Sequence, residues 1–410
     1  MLLYIDPGTG SMLFSILIGI VSTLVFFGRQ LFLKIKFILS GGKAEKISNT
    51  KIPYIIFSDH KRYWNVFKPI CDEFEKRGVD IVYWTASPDD PALSLKYDHV
   101  KAEFIGEGNK AFARLNMMNA EICISTTPGL DVYQWKRSQN CDWYVHVFHS
   151  VSDATGYRMF GLNSYDAVLA GGPIVKKFLD EIAEKRNQSK KEIVICGITY
   201  MDTLLEKYRQ YEAKEQKKES KTVLLAPSWG PSGILSKYGE KIIDSLLNTD
   251  WNIIIRPHPQ SFKSEKNIID SLMSKYQDNK RIRWDSDMDN FPSLHESDIM
   301  ISDFSGVIYD YAFIFKKPVI YAQVNFDPSP YDAAWIDDEK WMIKILPDIG
   351  FSLDEKDFDN MQNILDDARN DKSLEMKRKE KLDLCWQNIG KSGACITDYL
   401  IKKYSDLFRE

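Results

Sequence analysis

The sequence predicts an α/β protein built from two successive parallel-sheet halves that face a cleft. Short apolar runs alternate with segments of helical length that carry charged faces, the pattern of parallel strands covered on both sides. Several runs end in small or polar residues, on the side where open sheets bind ligands. The alternation then starts afresh after a charged stretch, residues 208–221, which reads as the end of a solvated helix and an inter-domain linker. A cleft between two such halves is a common place for a small ligand.

The bulk composition agrees. The 410 residues are 44% hydrophobic and 27% charged, enough for real cores in two or three domains. A net charge of -4 argues against a general nucleic-acid binder. Cys71, Cys123, Cys141, Cys196, Cys385 and Cys395 are scattered without a CxxC pair. They fit reduced thiols of a cytosolic protein, not a disulfide frame or a zinc site.

Taken in order, the chain opens on an uncharged run, residues 11–27, rich in Leu, Ile, Val and Phe. Its length is near the roughly 17–25 residues needed to span a bilayer. Arg29, Lys34, Lys36, Lys43, Lys46 and Lys51 follow, and the positive-inside rule places them in the cytoplasm. Residues 1–45 are therefore expected to form a single N-terminal membrane anchor with a juxtamembrane basic segment. The remainder is expected to be cytoplasmic, at the cell membrane. Residues 30–39 are basic and apolar, so an in-plane interfacial helix is the alternative.

The first half, residues 46–207, shows strand-like runs at 54–57, 79–84, 122–125, 143–148, 167–170 and 193–196. Helix-like segments at 65–76 and 172–185 lie between them. His149 falls at the carboxyl end of the fourth run, where an imidazole suits a general base. A hydrogen-bonded turn histidine is the plainer alternative. His146, inside the run, reads as a packed strand residue.

The second half, residues 222–410, repeats the pattern with runs at 222–226, 252–255, 299–301 and 319–321. The first is followed by Pro227-Ser-Trp-Gly-Pro-Ser-Gly233, a turn whose backbone suits close approach to a nucleotide at Ser228, although it lacks the P-loop pattern. The second is followed by Arg256-Pro-His-Pro259. There the prolines stiffen the backbone around His258, and Arg256 offers a guanidinium fork for phosphate oxygens. The third opens Ile299-Met-Ile-Ser-Asp-Phe-Ser-Gly-Val-Ile-Tyr-Asp-Tyr311, read as strand, tight turn and helix. Ser302, Asp303, Ser305 and Gly306 occupy the turn, as a phosphate site or as a plain cap. Asp285-Ser-Asp287-Met-Asp289 reads as a solvated loop. Residues 366–381 read as one charged amphipathic helix. Gly390-Lys-Ser-Gly393 reads as a turn before a last helix at 396–404 that packs back across the domains. There is no HExxH, no GxSxG and no metal-ligand set in the sequence, so no cofactor or metal is expected.

Together, His149, Arg256-Pro-His258-Pro259 and Ser302-Asp-Phe-Ser-Gly-Val-Ile-Tyr-Asp310-Tyr with Lys317-Pro-Val-Ile-Tyr321 resemble the CDP-glycerol glycerophosphotransferase family of teichoic acid synthesis. The resemblance spans residues 50 to 400 in the order of its motifs. It implies a GT-B fold, two Rossmann-like domains facing a cleft: an acceptor domain at 46–207 and a nucleotide-donor domain at 222–410. It implies transfer of glycerol phosphate or a related polyol phosphate from a CDP-activated donor to an acceptor hydroxyl, with release of CMP. The partners it implies are the CDP-activated polyol substrate, a lipid-linked cell-envelope acceptor and the membrane, without nucleic acid; oligomeric state is left open. His149 matches the family's acceptor-activating histidine. Arg256 and His258 match its donor-diphosphate motif, and Ser302, Asp303, Ser305 and Asp310 match its donor site. Two stretches depart from the family pattern. A His-Gly-Thr-Pro-type stretch reads His149-Ser-Val-Ser, and Pro-Thr-Trp-Arg reads Pro227-Ser-Trp-Gly230. Two rival functions share these features: a GT-B nucleotide-sugar glycosyltransferase or 2-epimerase, and a non-catalytic membrane-tethered nucleotide-binding protein.

Overall fold

Two wholly parallel sheets organise the protein. The first has seven strands: β1 (Ile52–Ser58), β2 (Ile81–Thr85), β3 (Val100–Phe104), β4 (Ala120–Ser125), β5 (Cys141–Val147), β6 (Ala167–Ala170) and β7 (Glu192–Ile195), in the order β3-β2-β1-β4-β5-β6-β7. The second has six: β8 (Thr222–Leu225), β9 (Asn252–Ile255), β10 (Ile282–Trp284), β11 (Ile299–Ser302), β12 (Val319–Ala322) and β13 (Phe351–Leu353), in the order β10-β9-β8-β11-β12-β13. The computed structural model describes residues 50–212, 221–287, 289–323 and 327–408. The expected anchor at 1–45 lies outside them, as do residues 213–220 of the expected linker. Among the described residues no helix is long and apolar enough to cross a membrane.

The central strands are buried along nearly their whole length because helices cover both faces. Each apolar run read from the sequence lies on a strand. The helix at 65–76 appears as Trp64–Arg77, ended by Gly78 in the left-handed region, φ 65°. Pro69 inside that helix has no N–H for the carbonyl of Asn65. The hydroxyl of Thr203, on the neighbouring helix Thr199–Glu212, lies 3.2 Å from that carbonyl and shares its hydrogen between it and the carbonyl of Thr199 at 3.0 Å.

Two expectations differ in detail. The helix expected at 366–381 is two, Met361–Asn370 and Glu375–Cys385. Asp371 breaks it: its backbone is extended, and its carboxylate accepts the N–H of Ser373 at 2.6 Å, a local turn that competes with the helix. The helix after β11 is one α-turn, Val307–Asp310, that widens directly into a π-helix, Tyr311–Phe315, with all five π residues buried.

Ile52–Glu410 form one compact unit, because the second half reaches the first in several places, two of which follow. The segment that includes Asp332–Trp335 and Trp341–Lys344 lies on the first half. There Asp332 forms a buried ion pair with Arg186 and accepts the N–H of Phe160 at 2.8 Å, and Asp153 accepts the N–H of Met342 at 3.1 Å. The last helix, Ser392–Phe408, buries Ile396 and Leu400 against Tyr54, Phe74 and Ile122 of the first half.

Candidate active site

Because every strand is parallel, the loops that leave the carboxyl ends of both sheets converge on one cavity of about 720 Å³. Lys61–Val66 enter it after β1 and His149 with Ser150 after β5. From the second sheet come Pro227 after β8, Arg256 to Pro259 after β9, and Ser305 to Val307 with Asp310 after β11. Tyr200, Lys207, Asp289 and Asn290 also line it.

The two histidines lie on opposite walls and differ in their hydrogen bonds. Nδ1 of His149 is 2.8 Å from the hydroxyl of Thr126, at the end of β4. The ring packs on Tyr63, with centroids 4.9 Å apart. Nε2 is the nitrogen left for the cleft. Burial, with a smaller push from Arg62, brings the imidazole down to about 4, so it is neutral at physiological pH. His258 accepts the backbone N–H of Gln260 on Nδ1 at 3.1 Å. A backbone N–H can only donate, so the proton of neutral His258 sits on Nε2. Burial and then Arg62 hold this imidazole near 4 as well. His258 is thus a fixed donor, and protonating it would set two donors against each other at Nδ1.

The remaining expected residues divide. Ser305, Gly306 and Asp310 line the cavity. Asp310 is buried, accepts the hydroxyl of Tyr200 at 3.0 Å, and keeps Oδ1 without a hydrogen-bond partner. Desolvation pushes its carboxyl up to about 7, against the smaller effect of Tyr200. Ser302 and Asp303 do not line the cavity. The Ser302 hydroxyl donates to the carbonyl of Ala226 at 2.7 Å. Asp303 accepts the N–H groups of Ser228, Ile234 and Ser305 at 2.9–3.1 Å. These two residues tie the turn after β11 to the loop after β8. Ser228 gives its N–H to that carboxylate, and its hydroxyl is buried without a hydrogen-bond partner.

Arg256 lines the cavity but has little of its fork to spare. One guanidinium nitrogen is 2.6 Å from Asp285 and another donates to the carbonyl of Asp287 at 2.5 Å. Asp285, expected in a solvated loop, is buried because it is this partner. His146 is buried, with Nε2 3.0 Å from the Tyr157 hydroxyl, as a packed strand residue would be.

Arg62, Tyr63, Thr126, Tyr200 and Lys207 were not expected at the site. Thr126 follows the run at 122–125, in the polar stretch that ends it, the one signal that could have flagged it. The others carry no pattern in the sequence.

Residues 159–334 match the model of a family described as CDP-glycerol:poly(glycerophosphate) glycerophosphotransferase. The span contains Arg256, His258 and the turn after β11, and begins beyond His149. No curated protein matches the chain. Among solved structures, the chain is similar to the wall teichoic acid polymerase TagF soaked with CDPG, at 15% identity and TM-score 0.57, over 94% of this chain and 99% of that one. It is also similar to UDP-GlcNAc 2-epimerase from Methanocaldococcus jannaschii in complex with UDP-GlcNAc and UDP, at 15% identity and TM-score 0.54, over 86% and 100%. A third likeness is to S. aureus MnaA with UDP, at 14% identity and TM-score 0.56, over 88% and 98%. These likenesses show the fold, the GT-B-like pair of parallel sheets expected from the motifs.

Proposed function

We propose that this CDP-glycerol glycerophosphotransferase-like enzyme moves glycerol phosphate, or a related polyol phosphate, from a CDP-activated donor to a hydroxyl of a lipid-linked cell-envelope acceptor, releasing CMP. One observation carries the reading: a neutral base and a neutral donor face each other across one cleft, His149 from the first sheet and His258 from the second. With Nδ1–H given to Thr126, Nε2 of His149 takes the acceptor's proton. The acceptor oxygen attacks the β-phosphorus of the donor. The bond from that phosphorus to the bridging oxygen breaks, and CMP leaves with the electron pair. His258 Nε2–H, the Ser305 hydroxyl and the backbone around Gly306 donate to the phosphoryl oxygens, where charge builds. Asp310 is largely protonated below pH 7 and so repels the phosphates little. The uncharged run at residues 11–27 fits a membrane tether, which raises the local concentration of a lipid-linked acceptor.

The test is chromatographic. The full-length protein is incubated with CDP-glycerol, CDP-ribitol or UDP-GlcNAc and a membrane lipid extract, and the released nucleotide is identified. CMP is expected, with His149→Ala slowing its release by roughly 10²–10⁴-fold. The low pKa of His149 keeps its base form down to acid pH. kcat/KM should therefore hold between about pH 5 and 6, fall tenfold per unit as pH drops below about 4, and decline above about 7 as Asp310 ionises beside the phosphates. Release of UDP, or isomerisation of the sugar, would overturn the reading in favour of a glycosyltransferase or 2-epimerase.

A further inference from the structure

Four cationic side chains line the cleft, and three are already neutralised. Lys61 pairs with Asp89, Lys207 with Asp289 at 2.6 Å, and Arg256 with Asp285 at 2.6 Å. Arg62 is the fourth. Among the described residues no carboxylate lies within ion-pair distance of it, and its side chain is exposed to the cleft. The nearest acid to feel it is Asp59, whose own carboxyl burial pushes upward, toward the neutral form.

The position of Arg62 is built rather than incidental. Its backbone N–H donates to Nδ1 of His60 at 3.2 Å, which caps the short 3-10 turn Lys61–Tyr63. Its guanidinium lies 4.9 Å from the centre of the Tyr63 ring, and that ring packs in turn on His149. A planar cation beside an aromatic ring is held in orientation, and with one contact to the Tyr63 hydroxyl the guanidinium keeps most of its five donors. Its charge also reaches both walls, since it depresses His149 on one side and His258 on the other.

We propose that Arg62 is the anion clamp of this site: its guanidinium, presented by the first half and paired with no carboxylate among the described residues, binds the diphosphate of the nucleotide donor across the cleft from His258. The inference rests on the donor reading above for the nucleotide, but the clamp itself requires only a diphosphate. Division of labour between the arginines follows. Arg256 holds the loop after β10 in place, and Arg62 meets the substrate. A clamp on the half opposite the phosphate-binding turn also makes donor binding sense both walls at once.

The test uses full-length protein and two probes, inorganic pyrophosphate and CDP, with binding measured by titration calorimetry. Arg62→Ala should weaken both by roughly 10- to 100-fold, the worth of a lost charge-assisted bidentate contact. Arg62→Lys should recover part of the loss, because a point charge replaces a fork. Arg62 is exposed, so the variants should keep the wild-type circular dichroism and melting temperature. Affinities within twofold of wild type in Arg62→Ala, or no pyrophosphate binding by the wild type, would overturn the clamp. Arg62-dependent pyrophosphate binding in a protein that releases no CMP from CDP-activated polyols would uphold the clamp and sink the donor reading instead.

Discussion

Replacing Asp310 by asparagine should stabilise the protein, by an amount that grows as pH rises from about 4 to 7 and levels off above. Asp310 is buried beneath the cleft with one oxygen bonded to Tyr200 and the other unpartnered. Its carboxyl is held up at about 7, against an ordinary 3.8. The unfolded chain therefore releases this proton near pH 4, while the folded chain keeps it until about pH 7. Between those values the folded state binds more protons, so stability falls as pH rises. At pH 5 the cost of folding with this residue is about 1.7 kcal/mol, and at pH 8 about 4.3 kcal/mol. Asp310→Asn keeps an acceptor for Tyr200 and carries no proton to lose. Relative to wild type, it should gain about 2–3 kcal/mol between pH 5 and pH 8. Urea unfolding of both proteins at the two pH values measures the difference. A gap that stays constant with pH would refute the reasoning, because it would mean that Asp310 is already ionised at pH 5 in the folded state.

Thr126 touches His149 and not the cavity, so Thr126→Val should lower kcat roughly tenfold, the worth of one hydrogen bond, while leaving the KM for the donor unchanged. A KM effect of equal size would show that Thr126 acts on substrate binding. Leu400 in the last helix is fully buried against the first sheet, and Leu400→Ala should cost about 2–5 kcal/mol in denaturant titrations. A loss below 1 kcal/mol would mean that this helix is not part of the cooperative unit.

What the sequence made legible was decided by burial. Ten strands have apolar runs; nine of them, such as Ile-Met-Ile or Ala-Val-Leu-Ala, are buried because both faces are covered, and the tenth, β7, is a half-buried edge. The three strands that left no apolar run are β3, β10 and β13, each an edge strand. Val100–Phe104 has Lys101 and Glu103 in it, and Ile282–Trp284 has Arg283, because an edge faces solvent and tolerates charge. The site divides along a similar line. His149 and His258 stood out by position at strand ends, and the structure brings them to one cleft. Ser302 and Asp303 have the right chemistry for a ligand, but their hydrogen bonds go to the neighbouring loop, which depends on contacts far apart in sequence. Arg62 was invisible for the converse reason: an arginine is marked by having no carboxylate partner, and only the folded chain shows which arginines have one.

The last helix has a consequence for how the protein is made. Tyr54, Phe74 and Ile122 belong to the earliest strands and the first long helix, yet part of their cover is Ile396 and Leu400. On the ribosome the first sheet emerges long before that cover exists, with an apolar face open for most of synthesis. Completion of the earliest half thus waits for Ile396 and Leu400, and removing the helix Ser392–Phe408 would leave the N-terminal half exposed to aggregation and to chaperones.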